Sequence, residues 1–210
     1  MTGNPVRLEL RPPRGAKGDV IVTVIVPLAQ SDAEPAAMLA TLPRTFEIIL
    51  ARGGTRASSM NQAAAVATGR HLWFVHADTT LGIDAVPALL GGLNDSGAVL
   101  RYFDLRFDGG TLMRLTELGV FIRSRLLQLP FGDQALCIPA ATFRDLGGYD
   151  ETAAYGEDHL LVRRARRAGI PVRPTGATIT TSARKYRDNG WLRTTLKHCQ
   201  RTLAQLWSRS

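Results

Sequence analysis

Cysteine is nearly missing from this chain of 210 residues: only Cys137 and Cys199 occur, and their spacing is not that of metal ligands. No disulfide framework follows, and a reducing cytosol is the expected setting. Long apolar runs are missing as well. The longest, Val20 to Ala29, has the length of a strand and contains Thr23 and Pro27, so no membrane-spanning helix is expected. The N-terminus lacks a basic segment followed by an apolar one, which leaves no visible secretory signal. Internal repeats and low-complexity tracts are absent too. What is present is an ordinary globular composition, 45% hydrophobic and 21% charged, sufficient for one domain with a real core.

Negative charge is scarce in one part only. Residues 1–158 hold 14 Lys/Arg against 17 Asp/Glu, whereas residues 159–210 hold 12 against 1, and the whole chain carries +8. That asymmetry points to an anionic partner at the C-terminal part: a phosphate-bearing substrate, a membrane surface or nucleic acid. A solvated basic face explains the charge equally well. Nucleic acid is not expected, because only Tyr186 and Trp191 interleave the basic residues as stacking aromatics.

Residues 1–19 are rich in Pro, Gly and basic side chains and read as a flexible arm; residues 20–188 form the domain and 189–210 an amphipathic basic helix. Val20 to Val26 reads as a buried strand closed by Pro27. Ser31 and Asp32 signal a helix N-cap, and that helix ends before Pro43. Phe46 to Ala51 is a second strand. Ser58 or Ser59 caps a helix through the Ala-rich Met60 to Thr68, and His71 to Val75 is a third strand. Ile83 to Leu93 reads as a helix. The alternation predicts an α/β fold with a mostly parallel sheet flanked by helices. Further on come a strand over Ala98–Phe107 and an amphipathic helix over Thr111–Leu129. A short strand follows at Gln134–Ile138, then a helix and glycine turn over Phe143–Asp150. Glu157 to Ala168 is helical, and Thr178 to Thr181 is a strand.

The chemistry concentrates in three places. The run Leu72-Trp73-Phe74-Val75 ends abruptly in His76-Ala77-Asp78-Thr79-Thr80, as a buried strand does when it delivers an imidazole and a carboxylate to a sheet edge. Oxygen ligands suit Mg²⁺ or Mn²⁺, and imidazole binds transition metals. The alternative is that Asp78 only caps a turn or the next helix. The loop Phe131-Gly132-Asp133-Gln134 offers an acid and an amide. Tyr155-Gly156-Glu157-Asp158 sets paired acids at a helix start, where they either answer the helix dipole or act as a base on a hydroxyl.

Taken in order, Val24-Ile25-Val26-Pro27, Met60-Asn61-Gln62-Ala63-Ala64, Phe74-Val75-His76-Ala77-Asp78-Thr79, Gly132-Asp133-Gln134, Gly148-Tyr149, Gly156-Glu157-Asp158 and Thr180-Thr181-Ser182-Ala183-Arg184-Lys185 resemble family 2 glycosyltransferases of the GT-A fold. The likeness is to the small bacterial branch with a His-Ala-Asp-Thr metal motif, and it runs from about residue 20 to 200. It implies a GT-A-like, Rossmann-like domain that moves a sugar from a nucleotide-sugar donor to an acceptor hydroxyl with inversion. Asp78, with His76 beside it, would hold Mn²⁺ or Mg²⁺ at the diphosphate. Asp158 would deprotonate the acceptor, with Glu157 supporting it. Arg184 or Lys185 would reach the diphosphate or stand at the surface. Asp133 and Gln134 would face acceptor or sugar, or serve the loop. Arg56 and Asn61 would meet the nucleotide, Asn61 having a local backbone contact as its alternative.

One departure stands out. The family's second strand ends in an Asp-Gly-Gly-Ser-x-Asp run, followed by a helix–strand unit. Here Ile48-Ile49-Leu50-Ala51 leads directly into Arg52-Gly53-Gly54-Thr55-Arg56, with Arg52 near the place of an acid that helps hold the base. A degenerate GT-A domain serving as a binding or scaffold protein is therefore the alternative. Trp191, Leu192, Leu196, Cys199, Leu203, Leu206 and Trp207 share one helical stripe. It packs on the domain or a second copy, or lies on an anionic membrane, which would suit a lipid-linked acceptor at the inner face of the membrane.

Overall fold

The computed structural model describes residues 5–14, 20–94, 97–153 and 156–195. Its strands are β1 (Arg7–Arg11), β2 (Val22–Leu28), β3 (Glu47–Arg52), β4 (His71–Phe74), β5 (Thr80–Leu81), β6 (Leu100–Phe107), β7 (Cys137–Pro139) and β8 (Val172–Thr181). The helices are α1 (Ala36–Ala40), α2 (Arg56–Val66), α3 (Ala85–Gly92), α4 (Leu112–Leu126), α5 (Ala140–Asp145), α6 (Glu157–Arg167) and α7 (Arg184–Asn189). Among the described residues the strands form one sheet in the order β1-β3-β2-β4-β7-β6-β8-β5.

Side chains alternate across this sheet and build two apolar layers. Val24, Val26 and Trp73 face one side with Met38 and Leu39 of α1 and Leu89 of α3. Ile25, Leu72 and Phe74 face the other, against Met60 of α2, Phe143 of α5 and Leu161 of α6. Both faces are covered, so the central strands are apolar at nearly every position. The exception in β2 is Thr23, whose hydroxyl donates to the buried Glu47 carboxylate at 2.5 Å. Glu47 also accepts the Thr68 N–H at 2.8 Å, which ties the starts of β2 and β3 to the turn before β4.

The α/β fold with helices on both faces of the sheet is as expected, and most paired positions in that sheet are parallel. Pairs β2–β3, β2–β4 and β6–β8 are parallel, whereas β1–β3, β4–β7, β6–β7 and β5–β8 are antiparallel. The α/β alternation up to β4 does give parallel neighbours. Beyond it, the short β7 runs back between β4 and β6, a direction that a buried apolar strand does not encode in its pattern. The arm expected over 1–19 also contributes structure: Arg7–Arg11 pairs antiparallel with β3, and Arg11 forms ion pairs with Glu9 and Glu34 at 2.8 and 2.7 Å.

Local signals were displaced by a few residues. Asp32 does not cap a helix; its carboxylate accepts the Ala29 N–H at 2.8 Å and closes a turn, and α1 starts after Pro35. Thr55, not Ser58 or Ser59, caps α2 by accepting the Ser58 N–H at 3.1 Å. The stripe predicted over 191–207 is described as helix only through Thr195; its remainder lies outside the described residues.

Pro27 opens the functional end of the sheet. The β2–β4 ladder reaches Ile25, whose carbonyl accepts the Val75 N–H at 3.0 Å. The next bond in a parallel ladder would need an N–H from residue 27, and proline has none. On its other side β2 continues with β3 to Leu28–Arg52. Beyond Val75 the chain is therefore released from β2, and a cleft forms between them.

Candidate functional site

That cleft, about 610 Å³, lies at the carboxyl ends of β2, β3 and β4. Its walls are the segment after β2, including Ala29, Asp32 and Ala33, the Gly53–Gly54 turn after β3, and His76–Asp78 after β4. Arg56 and Arg184 reach into it. In an open α/β sheet this is where ligands bind, because the loops leaving parallel neighbours diverge there.

Arg56 joins the cleft to the paired acids. One terminal nitrogen donates to Glu157 Oε1 at 2.8 Å and to Asp158 Oδ2 at 2.7 Å; the other contacts the His76 ring Nε2. Residues twenty and a hundred positions away in sequence thus meet on one guanidinium. Burial works against the Arg56 charge, but Asp158, Tyr149 and Glu157 more than offset it and raise its pKa above the usual arginine value. The pairing is reciprocal: Asp158 is 7% exposed, and a buried carboxylate without a cation would be severely penalised. Both acids also lie in the first turn of α6, where the helix dipole favours them.

Gly132 sets the position of the Asp158 carboxylate. A Cβ on Gly132 would stand 2.2 Å from Asp158 Oδ2 and 2.4 Å from its Cγ. The carboxylate therefore rests directly on bare backbone. Beside it, burial and then the Asp158 charge push the Tyr149 hydroxyl well above the ordinary phenol value, which keeps it a neutral donor.

The other expected residues divide into those at the cleft and those that support it. His76 is half-buried and Asp78 exposed on the cleft wall. Arg184 lines the same space, while the Lys185 side chain lies outside the described residues. Asn61 does not face the cleft. Its amide donates to the Tyr149 carbonyl at 2.9 Å and to Glu151 at 2.8 Å, and accepts the Tyr149 N–H at 2.8 Å. It clamps the Gly148–Tyr149 turn, the local backbone role open to it from the start. Gln134 is buried, with its amide oxygen accepting from Ser124, Arg123 and the Phe131 N–H and its nitrogen donating to the Phe103 carbonyl. These bonds are those of the loop role, the alternative the sequence left open for Gln134: it anchors the Gly132 loop to α4. Asp133 is half-buried, and its charge acts on Arg123. Arg52 donates to the carbonyls of Asp32 at 2.7 Å and Ala29 at 3.3 Å, so it braces the cleft loop through backbone.

Among the described residues no cluster of three His, Cys, Asp or Glu side chains could hold a metal by itself. Asp78 and His76 both line the cleft, Asp78 as an exposed carboxylate and His76 with its Nε2 against Arg56. Asp32 is the site residue that the sequence reading missed. Ser-Asp before a helix has the appearance of a cap, yet Asp32 stands in the cleft wall.

His159, next to Asp158, is 1% exposed and stacks edge-on against Phe131 with centroids 5.8 Å apart. Burial first, then Arg163, Arg123 and Arg166, push its pKa down from 6.5 to about 4. As pH falls, the unfolded chain takes the proton first, so stability is complete above pH 6.5 and is lost between about 6.5 and about 4. The loss over that window is expected to be roughly 3 kcal/mol. Urea unfolding at a series of pH values checks it: His159→Leu should flatten that segment of the curve relative to wild type.

No family model and no curated protein matches the chain. Solved structures do. The structure of S. aureus TarS 1-349 superposes with TM-score 0.58 at 14% identity, covering 77% of this chain and 60% of that one. TarS 1-349 in complex with UDP-GlcNAc gives 0.56 at 14% identity, over 77% and 58%. The mannosyltransferase PcManGT from Pyrobaculum calidifontis, in complex with GDP-Man and Mn²⁺, gives 0.58 at 14% identity, over 81% and 60%. This chain spans about three fifths of the length of those chains. At these identities the likeness is one of architecture, and the chain has a GT-A-like glycosyltransferase fold.

Proposed function

We propose that this protein transfers a glycosyl group from a nucleotide-sugar donor to an acceptor hydroxyl, with inversion and with the help of Mn²⁺ or Mg²⁺, as in family 2 glycosyltransferases. The observation that carries the reading is the single guanidinium of Arg56, which brings Glu157 and Asp158 beside His76 at the edge of the cleft. A displacement at an anomeric carbon needs a base on one side and a place for the departing diphosphate on the other. Here the two lie within the reach of one side chain.

Asp158 takes the proton of the acceptor hydroxyl, held in position by Gly132 and Arg56. Glu157 shares the Arg56 charge and keeps the guanidinium anchored. The nucleoside lies between the segment after β2 and the Gly53–Gly54 turn, where Asp32 offers the carboxylate that Arg52 does not. Arg184 stands at the diphosphate. Asp78 and His76 would hold the cation, which when bound neutralises charge on the departing diphosphate.

Calorimetry with UDP and GDP, with and without Mn²⁺, tests this without knowledge of the acceptor. Metal-dependent binding of one nucleotide is expected in wild type, and Asp78→Ala should lose the metal-dependent part, weakening affinity roughly 10- to 100-fold. Absence of binding to either nucleotide in the presence of metal would overturn the reading.

A further inference from the structure

Helix α4 is apolar on two opposite faces. Met113 and Val120 are buried against the domain. On the outer side Leu112, Leu115, Leu118, Ile122 and Leu126 recur every three or four residues and are 44 to 75% exposed. Phe121 is exposed beside them. The sequence pattern predicts an amphipathic helix here; the outer half has instead the composition of a second buried face. Isolated exposed leucines are ordinary, but a continuous stripe along four turns is an interaction surface.

The surroundings of the stripe specify the partner. Its one acid within the helix, Glu117, turns inward to accept the Phe107 N–H at 2.9 Å. Asp104 is paired with Arg125 at 2.6 Å. Arg123 turns inward over the Phe131 ring, whereas three other arginines are exposed around the stripe. Arg114 lies on the helix and is exposed; Arg166 is exposed and donates to the Leu127 carbonyl at 3.0 Å, at the helix end. Arg193 is exposed in the segment that Trp191 pins to α4 through a 2.9 Å hydrogen bond to Thr116. Trp191 also borders a groove of about 550 Å³ at the start of α4, lined by Met113 and Tyr186 and by the paired Asp108 and Arg187. An apolar stripe, a rim of guanidinium groups and a half-buried tryptophan fit a bilayer interface, where leucines enter the acyl boundary and arginines meet phosphate headgroups.

We infer that α4 is a membrane-docking helix whose outer face lies on an anionic lipid surface. The contact is set by the domain itself. Through Gln134, which bonds Ser124 of α4 at 2.7 Å, the docked helix is tied to the loop that supports Asp158. A lipid-borne acceptor would then be presented on the base side of the cleft; that extension rests on the proposed function, whereas docking does not.

Co-sedimentation with vesicles tests docking with no need for turnover. The full chain is expected to pellet with vesicles containing phosphatidylglycerol and to remain in solution with phosphatidylcholine alone, with binding falling as salt rises. Leu118→Glu with Ile122→Glu should weaken binding roughly tenfold or more, because two apolar side chains leave the interface. Leu118→Trp should strengthen it, measured against a vesicle-free spin that shows the variant does not sediment by itself. Arg114→Glu with Arg193→Glu should reduce binding to the anionic vesicles. The inference is overturned if wild type ignores anionic vesicles, or if the Leu118/Ile122 variant binds as wild type does. It is equally overturned if sedimentation velocity shows a dimer that this variant separates, since the stripe is then a contact between two copies.

Discussion

Asp158→Asn is expected to lower the rate of donor breakdown roughly 10²- to 10⁴-fold, the range that a positioned general base supplies. The measurable reaction is release of the nucleoside diphosphate with water as acceptor, so the natural acceptor is not needed. Nucleotide affinity by calorimetry should stay close to wild type, because Asp158 does not line the cleft proposed for the nucleoside. The substitution is nearly isosteric and leaves Glu157 to hold Arg56 at 2.8 Å, so the site should not collapse. Unchanged release in Asp158→Asn would remove Asp158 as the base. A matching loss of nucleotide binding would instead show that the acid supports the donor pocket through Arg56.

A single methyl group should have an effect of similar kind at Gly132. With a Cβ only 2.2 Å from Asp158 Oδ2, Gly132→Ala forces the carboxylate to rotate or the loop to retreat. The loop is held by the four hydrogen bonds of buried Gln134, so the carboxylate is the part that moves. A displacement near 1 Å at a reacting group costs about 10²-fold in rate. Gly91→Ala is the control: nothing lies within 4 Å of a Cβ there, and removing a helix glycine should stabilise the fold by about 0.5–1 kcal/mol. If Gly132→Ala turns over donor like wild type, the close packing of Asp158 on the loop is not what positions it.

Much of this site was legible because strand ends are marked in sequence. Val24-Ile25-Val26-Pro27 marks where β2 can no longer pair with β4, and Leu72-Trp73-Phe74-Val75-His76 marks where an apolar run gives way to polar residues. The loops that follow are where the cleft lies. Asp78, His76, Glu157 and Asp158 were legible for the same reason: acids and imidazole placed immediately after or before regular elements. Asn61 and Gln134 were not. Both are amides in motif positions, and a sequence does not reveal whether an amide spends its hydrogen bonds on a ligand or on a neighbouring turn. Asp32 was hidden by a local competitor, since the same side chain that caps helices also closes turns. The α4 stripe was misread because periodicity identifies one apolar face, whereas the second becomes visible only when the first is seen to be buried.

The amino-acid sequence by itself determined the α/β alternation through β4, the two-sided apolar core and the chemical identity of the acids and imidazole. These follow from periodicity, proline and glycine chemistry and residue type, all local properties. Tertiary structure decided which of those groups meet. Strand direction in the second half of the sheet, the seat of Asp158 on Gly132 and the convergence of Arg56, Glu157, Asp158 and His76 depend on contacts between residues as many as 102 positions apart. Such contacts arise from packing the two faces of one sheet, and no window along the chain contains them.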